Sequence, residues 1–533
     1  MLFNAKKLPY GITNYFTPIV LDYIAGSEKL KPFYTHTPGL EGIKAAIQAR
    51  KAAPVDRALL YTELNTQYLV VEQSDKVKTN IALLQDENTF TVCTAHQPNL
   101  FTGPVFFMYK ILHTIKLSEA LHKELPGFNF VPVYYMGSED ADFAELNHTY
   151  VRGKKIEWQK QQTGSVGRMV VDDTLLALIE ELGSQLYFET YAGEVIQLLR
   201  NSYKKGQDIQ SATFELLNGL YGKYGLLVFM PDNAAYKRTM SSIFRDDLFN
   251  NVATAIVAKT SERLEEGYKV QATPREINLF YLKDNVRERI IQEGASFRVH
   301  NTGLLFSREE METELEQHPE RFSPNVILRG LYQEKILPNI AFIGGGGELA
   351  YWLQLKDLFI HYKVPFPLLL LRNSFLIIGS SEIQVKEKLQ LSEEQLFTPA
   401  FDLLNQLIEA GGNKPSLAGE LSSAGKLYET LHGKAAAVDV TLVQHVASLK
   451  SKTLKQIDAL EKKLMSAERK KHAALDGKIK KLKEQLFPLN GLQERVENFS
   501  SFHAKWGPAF IDELLLHSPA MEQQFVVLEE RNS

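Results

Sequence analysis

FTVCTAHQPNLFTGPVFFMYKILHTIKLSEAL, at residues 90–121, spells a strand, a polar loop and a long helix in that order. The run 90–95 is apolar and rich in residues that favour strands. Pro104 suits the first turn of a helix, where its missing N–H costs nothing, and apolar residues from Val105 onward recur at the spacing of one helical face. The stretch therefore predicts a helix that begins directly beside a polar loop.

The polar loop carries His96, Gln97, Asn99 and Gly103. A helix N-terminus presents unpaired N–H groups and the positive end of its dipole, so this position favours a bound carboxylate or phosphate. A plain turn capped by asparagine and glycine has the same composition. Because polar side chains, a glycine and a helix N-terminus converge at one strand end, we interpret the loop as a ligand loop.

A second strand, FVPVYYM at 130–136, is followed by the polar residues Glu139, Asp140, Asp142, Glu145 and His148. Two strands joined by a helix form a βαβ unit, so both polar loops should lie at the same edge of a parallel sheet. The acids could serve acid–base chemistry or hold a divalent metal. Acids in the first turn of a helix, complementing its dipole, would give the same pattern. We predict no dedicated metal site.

Four consecutive glycines, Gly344, Gly345, Gly346 and Gly347, follow a further strand at 338–343. They favour a backbone cradle for an anionic group at the start of the next helix. The run does not match the dinucleotide fingerprint, because its third glycine would fall at Leu349.

Two arginines are candidates for binding an anionic group. Arg372 follows the apolar strand 366–371, and Arg329 closes the run SPNVILR. Each could clamp a carboxylate or phosphate through two parallel hydrogen bonds, and a structural salt bridge is the alternative.

Composition limits the class of protein. The chain has 533 residues, 44% of them hydrophobic, a net charge of −4 and a single cysteine, Cys93. No basic field exists to attract nucleic acid, and no apolar run approaches the roughly twenty residues that span a bilayer. We therefore expect a cytoplasmic protein without disulfides, nucleic-acid partners or membrane partners. No GxSxG or HExxH motif occurs, and GELSSAGK at 419–426 does not fit a phosphate loop.

The predicted fold class is α/β, with a Rossmann-like parallel-sheet core, two connecting insertions and a C-terminal helical coiled coil. Residues 443–486 show three-four apolar spacing with a phase break at 470–472, which is typical of a helical hairpin or an interrupted coiled coil. The predicted boundaries are a core at 1–385 with a helical N-terminal extension, insertions at about 150–221 and 262–329, a coiled coil at 386–505, and a tail at 506–533 that returns to the core.

Four blocks of the sequence together resemble the cysteine ligase family of bacillithiol biosynthesis, the BshC family. They are TAHQPNLFTGPVFFMYKILHTIKLSEAL, VPVYYMGSEDADFAELNH, SPNVILRGLYQEKILPNIAFIGGGGELAYWLQLKDLF and LFPLNGLQERVENF. The resemblance implies a core related to nucleotidyl-transferring enzymes such as class I aminoacyl-tRNA synthetases, and a homodimer formed through the coiled coil. It also implies amide formation between cysteine and the amino group of glucosaminyl malate.

Roles for individual residues follow from this resemblance as hypotheses. A ligase needs an activated acyl group, so ATP or another adenine nucleotide is expected, and Mg²⁺ is a candidate cofactor. His96, Asp140 and Asp142 would be catalytic. The expected substrate or nucleotide contacts are Gln97, Asn99, Gly103, Gly344, Gly345, Gly346, Gly347, Arg329 and Arg372. The polar residues Gln493, Glu494 and Arg495 would form a second ligand pocket.

Two alternatives remain open at this stage. The chain could be an inactive nucleotide-binding scaffold or sensor that dimerises through its coiled coil. It could also be a nucleotidyltransferase that acts on another small acid. No lysine-rich second motif of the class I synthetases is visible in the sequence, and this absence supports the scaffold.

Overall fold

A computed structural model describes residues 2–162, 164–412 and 415–531. The chain divides into two compact units, one formed by Met1–Ile378 together with Gly491–Ser533 and the other by Gly379–Asn490. The strands are β1 Phe3–Leu8, β2 Thr89–His96, β3 Asn129–Met136, β4 His148–Val151, β5 Lys154–Glu157, β6 Leu227–Phe229, β7 Leu279–Lys283, β8 Val286–Glu293, β9 Ser296–Val299, β10 Leu305–Ser307, β11 Phe322–Pro324, β12 Asn339–Gly344, β13 Leu368–Leu371, β14 Phe375–Ile378 and β15 Phe525–Glu530.

The helices of the first unit surround these strands. They are α1 Pro18–Ile24, α2 Leu40–Ala52, α3 Arg57–Tyr68, α4 Asp75–Leu83, α5 Phe106–Glu124, α6 Phe143–Leu146, α7 Asp173–Leu186, α8 Ala192–Ser202, α9 Ile209–Tyr221, α10 Ala234–Arg238, α11 Ser241–Asn250, α12 Val252–Glu265, α13 Arg308–Gln317, α14 Val326–Ile336, α15 Gly346–Trp352 and α16 Lys356–His361, and, after the second unit, α22 Phe499–Trp506 and α23 Ala509–His517. The second unit contains α17 Ser380–Lys388, α18 Ala400–Ala410, α19 Ala418–Val438, α20 Leu442–Lys471 and α21 Ala473–Leu486.

The central sheet has the order β13-β12-β2-β3-β6, and all its neighbouring strands are parallel. Counted along the chain, this is the 3-2-1-4-5 order of a Rossmann fold. Its strands are buried on both faces, which explains why they read as continuous apolar runs rather than alternating ones. The predicted Rossmann-like core is confirmed, and the point where strand order reverses lies between β2 and β12.

A second sheet joins distant parts of the chain. Strand β15 pairs antiparallel with β1 and parallel with β14. The N-terminal extension, predicted as helical, therefore begins with a strand. Sequence reasoning missed β1 because only its first and last residues, Phe3 and Leu8, are buried, and its partner lies about five hundred residues away.

The segments predicted as insertions carry secondary structure of their own. The hairpin β4–β5 and helices α7 to α9 follow β3. Later, the sheet β10-β9-β8-β7-β11 forms before β12, with all its strands antiparallel. This five-stranded antiparallel sheet brings β8 and β11 to the candidate functional site.

The helical unit contains an antiparallel pair formed by α19 and α20. The Tyr428 hydroxyl lies 2.8 Å from that of Thr453, and the Leu417 amide donates to Glu461 at 3.0 Å. The predicted phase break falls between α20 and α21, at His472. Residues 419–426, set aside as a phosphate loop, lie within α19.

The unit boundary differs from the predicted coiled coil at 386–505. Residues 491–505 belong to the first unit, because Gln493 exchanges hydrogen bonds with Ile377 of β14 and Asn498 donates to the loop before α5. Among the described residues, no helix is long and apolar enough to cross a bilayer.

Candidate functional site

A cavity of about 650 Å³ lies at the carboxyl ends of β2, β3 and β12. This is the position at which ligands bind in open α/β sheets, where strand order reverses. Its wall combines residues from the central sheet, the second insertion and the segment after the helical unit. Charged and polar residues of the cavity wall include His96, Gln97, Glu139, Asp140, Glu145, Arg287, Arg329, Glu348, Tyr351, Arg372 and Arg495. Gly345, Gly346 and Gly347 also line the cavity.

His96 ends β2 and lines the cavity. Its ring packs against Phe106 and Phe107 in the first turn of α5, with centroids 5.2 and 5.5 Å away. Burial, together with the charges of Lys110 and Arg372, holds the pKa of His96 well below its ordinary value. The buried Nε2 atom has no hydrogen-bonding partner among the described residues. His96 therefore supplies a neutral imidazole at the cavity wall whose buried Nε2 has unused hydrogen-bonding capacity.

Asn99 and Gly103 do not line the cavity but shape the loop behind His96. Gly103 has φ +65°, and a Cβ there would lie 2.8 Å from the Asn99 side chain. The Asn498 amide donates to the carbonyl of Gly103 at 2.6 Å and to that of Phe101 at 2.9 Å. These contacts give both loop residues a role in backbone geometry.

The two predicted catalytic aspartates have different surroundings. Asp140 lines the cavity, where its carboxylate accepts hydrogen bonds from the amides of Ala141 and Asp142 and from Gln97 at 3.1 Å. Asp142 is exposed and caps α6 by accepting from the Glu145 amide at 3.3 Å. Of the two, the structure brings only Asp140 to the cavity wall.

Glu145 also lines the cavity, whereas His148, from the same polar cluster, does not. Burial, with Asp142 and Asp140 adding to it, raises the pKa of Glu145. Within the part of the chain that the structure describes, no group of three or more His, Cys, Asp or Glu side chains is placed to hold a metal ion.

Glu139 connects the cavity to a buried chain of alternating charges. Its carboxylate pairs with Lys237 and accepts from the Ser323 hydroxyl at 3.2 Å. Lys237 lies 3.8 Å from Asp232, which Arg168 holds through two hydrogen bonds of 2.7 and 2.8 Å. Burial raises the pKa of Glu139, although the Lys237 ammonium opposes the shift. The network holds the loop after β3 rigidly against the second insertion.

The four glycines form the turn from β12 into α15. Gly344 ends the strand, and the Gly345 amide donates to the Glu348 carboxylate at 2.8 Å. A Cβ on Gly346 would meet Val20 at 3.0 Å, whereas one on Gly347 would meet open space. Of the four glycines predicted to form the cradle, Gly345, Gly346 and Gly347 line the cavity, whereas Gly344 does not.

Lys110 and Glu348 secure this turn from below. The Lys110 ammonium, buried in α5, donates to Glu348 at 2.6 Å and to the carbonyl of Ala95. Sequence reasoning did not select this pair. A lysine within an otherwise apolar helical stretch was the available signal, because a buried ammonium requires a charged or polar partner.

Arg372 lines the cavity with its charge compensated. It donates to Glu494 at 2.7 Å, and this fully buried carboxylate also accepts from Ser374 and from the Phe375 amide. Burial disfavours the Arg372 cation, but Glu494 outweighs it and the pKa of Arg372 is raised. Glu494 therefore positions Arg372 against the cavity.

The predicted second-pocket residues divide between two roles. Gln493 and Glu494 are hydrogen-bonded to β14 and its preceding turn, whereas Arg495 lines the cavity. Arg329 also lines it, as expected. Arg287, Tyr351 and Glu348 were not selected from the sequence. Arg287 lies on strand β8 of the second insertion with no motif around it, so only the three-dimensional arrangement reveals it.

Comparison with known proteins identifies the family. The model described as Bacillithiol biosynthesis BshC, N-terminal Rossmann-like domain, matches residues 3–373, and the model described as Bacillithiol biosynthesis BshC, C-terminal coiled-coil domain, matches residues 375–530. The chain belongs to the BshC family. The resemblance found in the sequence is thereby confirmed, and so are the Rossmann-like and coiled-coil assignments.

BshC relatives match over nearly their whole length. A protein of Flavobacterium johnsoniae is 39% identical over 98% of this chain and 99% of its own. Proteins of Flavobacterium psychrophilum and Cytophaga hutchinsonii are each 38% identical, over 95% and 94% of this chain and 96% and 94% of their own. All three are named "Putative cysteine ligase BshC".

Proposed function

We propose that this chain is a ligase that joins the carboxyl group of L-cysteine to the amino group of glucosaminyl malate, the last step of bacillithiol synthesis. The observation that carries the proposal is full-length similarity to BshC proteins named as cysteine ligases. The cavity supports it, because arginines and acids share one wall and suit a substrate that carries both carboxylates and an amine.

Amide formation from a free carboxylate requires activation, and ATP is the proposed donor. The cysteine carboxylate would attack a phosphorus atom of ATP and release either pyrophosphate or ADP. The amine then attacks the acyl carbon, and AMP or phosphate leaves as the amide forms. Arg372, Gly345 and Gly347 at the cavity wall fit the phosphate groups. We propose that Mg²⁺ enters with these phosphates.

His96 and Asp140 are the proposed catalytic pair. His96 lines the cavity, and its neutral ring, whose buried Nε2 has no partner among the described residues, would accept or donate a hydrogen bond once a bound ligand brings a polar group to it. Asp140, whose carboxylate is oriented by two backbone amides, fits the attacking amine or a sugar hydroxyl. Asp142 acts at most through α6, which it caps.

We further propose that two copies of the chain associate through their helical units and that the reaction takes place in the cytoplasm. Helices α19 and α20 have no buried residue within a single chain, although both carry leucines. A second copy would cover these leucines.

The deciding experiment is a reconstitution with purified protein. Cysteine, glucosaminyl malate, ATP and Mg²⁺ are combined, each is omitted in turn, and bacillithiol is followed by mass spectrometry. Product that requires ATP is expected, and the appearance of AMP or ADP identifies the intermediate. A folded protein that makes no product under any condition would contradict the proposal and favour the alternative of an inactive nucleotide-binding scaffold. Turnover of ATP without cysteine or the amino sugar would instead favour a nucleotidyltransferase.

A further inference from the structure

Three arginines at the cavity wall, Arg287, Arg329 and Arg495, lack among the described residues the carboxylate partners that Arg372 and Arg168 have. Arg495 is exposed to solvent, which screens its charge, whereas Arg287 and Arg329 are only partly exposed. Arg372 lies 2.7 Å from Glu494, and Arg168 lies 2.7 Å from Asp232. Among the described residues, no carboxylate lies within 4.0 Å of the Arg287 or the Arg329 guanidinium. Both line the cavity. Their positive charges are therefore directed towards a space that a ligand can fill.

Arg329 lies in the first turn of α14, over the carboxyl half of the central sheet. Its guanidinium carbon is 5.4 Å from the Tyr135 ring on β3 and 6.0 Å from the Phe342 ring on β12. It donates to the Tyr351 hydroxyl at 2.8 Å and to Gln333 at 3.3 Å. These bonds use two of its five N–H groups. They fix the plane of the guanidinium and leave donors for a ligand.

Arg287 lies on β8 of the second insertion. Its guanidinium carbon is 4.0 Å from the Phe280 ring, and its Nε donates to the Ser323 hydroxyl at 3.2 Å. The other four N–H groups have no acceptor among the described residues. Burial lowers the pKa of Arg287, although the more distant charges of Asp140 and Glu139 oppose the shift. The side chain is held by stacking on Phe280 and by one hydrogen bond to Ser323, and the two terminal NH₂ groups of its guanidinium remain available to a ligand.

Taking a cation out of water without a partner is costly, and the cost is offset when an anion binds. Glucosaminyl malate carries two free carboxylates on its malyl group, and these match the two partly buried guanidinium groups, of Arg287 and Arg329, that no carboxylate contacts within 4.0 Å among the described residues. We propose that Arg287 and Arg329 form a clamp for the two malyl carboxylates and thereby select this substrate over a simple amino sugar. This inference rests on the proposed function and assigns the substrate determinant within the same cavity.

The phosphates of ATP are the competing anion. The phosphates are proposed to bind at Arg372, Gly345 and Gly347, in the turn from β12 into α15. The clamp lies instead on α14 and β8, next to the loop that carries Glu139 and Asp140. This placement also brings the malyl group close to acids that can attract the substrate amine.

The test is direct binding, measured by calorimetry on the full chain. The probes are glucosaminyl malate, methyl glucosaminide without the malyl group, and ATP with Mg²⁺. Arg329→Gln and Arg287→Gln should each weaken glucosaminyl malate binding about 10- to 100-fold, the range for loss of a charge-assisted forked contact. Arg329→Lys should give an intermediate loss, because lysine keeps the charge without the fork. Binding of methyl glucosaminide and ATP should stay unchanged.

Arg298→Gln is the matched control. This arginine lies on β9 of the same small sheet, pairs with Glu293 at 2.8 Å and does not line the cavity. It should bind all three probes as the wild type does, and circular dichroism should show that every variant is folded.

Three results would overturn the clamp. Wild-type protein that forms bacillithiol while the glutamine variants keep full affinity for glucosaminyl malate rejects the clamp alone. Loss of ATP affinity with unchanged glucosaminyl malate affinity assigns the arginines to phosphates instead. Wild-type protein that neither binds glucosaminyl malate nor forms product rejects the proposed function, and the clamp with it.

Discussion

Helices α5 and α20 look alike in sequence and differ in structure. Both carry apolar residues at three-four spacing over many turns. In α5, Leu112, Ile115 and their neighbours are fully buried against β2, β3 and α23. In α20, no residue is buried, and Leu449 and Leu460 are 39% and 50% exposed.

The difference shows that helical periodicity identifies a face but not the surface that covers it. Helix α5 is covered by its own sheet, and its buried Lys110 supports the cavity wall by bonding to Glu348. Helix α20 packs along α19 and leaves Leu449, Leu460 and Leu464 partly exposed. One helix serves the site and the other, as proposed, serves association. The following predictions test this division.

The largest effect is expected at the start of α5, where His96 rests on Phe106 and Phe107. His96→Ala removes the imidazole from the cavity wall and should lower kcat for bacillithiol formation at least about 100-fold. Asp140→Ala should have a similar effect. Steady-state rates measure both, with circular dichroism as a check on folding.

His122→Ala is the control for that experiment, because His122 lies in the last turn of α5 and is exposed. It should retain wild-type turnover. Equal activity in His96→Ala and His122→Ala would remove His96 from the proposed catalytic pair.

The next largest effect is expected on the unfolding free energy, which a leucine-to-alanine substitution should lower far more in α5 than in α20. Leu112→Ala in α5 leaves a cavity in a packed interior and should cost about 2–5 kcal/mol of unfolding free energy. Leu449→Ala in α20 should change this free energy by no more than about 0.5 kcal/mol in solutions dilute enough for the proposed dimer to dissociate. Denaturant titration measures both values. A comparable loss for Leu449→Ala at every protein concentration would show that α20 is covered within one chain.

A pH effect of intermediate size is expected from His113, also on α5. Its Nε2 lies 2.8 Å from the carbonyl of Ala520 and its Nδ1 accepts from the Asn373 amide, while burial lowers its pKa to about 4. The unfolded chain binds a proton there below about pH 6.5, whereas the folded chain stays neutral down to about pH 4. Stability therefore rises with pH across this window, and the His113 contribution lost at pH 5 is about 2 kcal/mol.

His113→Gln measures this contribution. The difference in unfolding free energy between pH 7.5 and pH 5 should shrink by about 2 kcal/mol relative to the wild type. His445→Gln, on exposed α20, should leave the difference unchanged. An unchanged difference in His113→Gln would mean that His113 titrates alike in both states.

The smallest effect on a single chain is expected from the exposed leucines of α20. Replacing Leu449, Leu460 and Leu464 by serine should preserve helicity and the fold of the first unit, since none of the three is buried. It should shift the proposed dimer to a monomer in analytical ultracentrifugation. A wild-type monomer, or a variant that stays dimeric, would remove these leucines from the association surface.

Local patterns predicted much of the core. Apolar runs located β2, β3 and β12, and the residues following them, His96, Asp140 and Gly345, lie together because parallel strands end at one edge. Patterns failed where pairing is distant. Strand β1 has a polar middle and finds its partner at the other end of the chain.

The roles of the polar residues predicted for the site also depend on tertiary structure. Asp140 and Asp142 are two residues apart and chemically identical, yet one lines the cavity and the other caps α6. Glu494 was predicted to contact a ligand, whereas in the structure it is the buried partner of Arg372. Such roles depend on side-chain direction and on partners more than a hundred residues away.

By itself, the sequence determined the Rossmann-like core, the helical unit and the membership in the BshC family, because periodicity and motif order are local properties. Only the tertiary structure decided which charges face the cavity with partners and which face it without them. Arg372 pairs with Glu494 at 2.7 Å, whereas within the described parts of the chain no carboxylate lies within 4.0 Å of the guanidinium of Arg287 or Arg329. The physical reason is that charge compensation is set by packing in three dimensions, and no spacing along the chain records it.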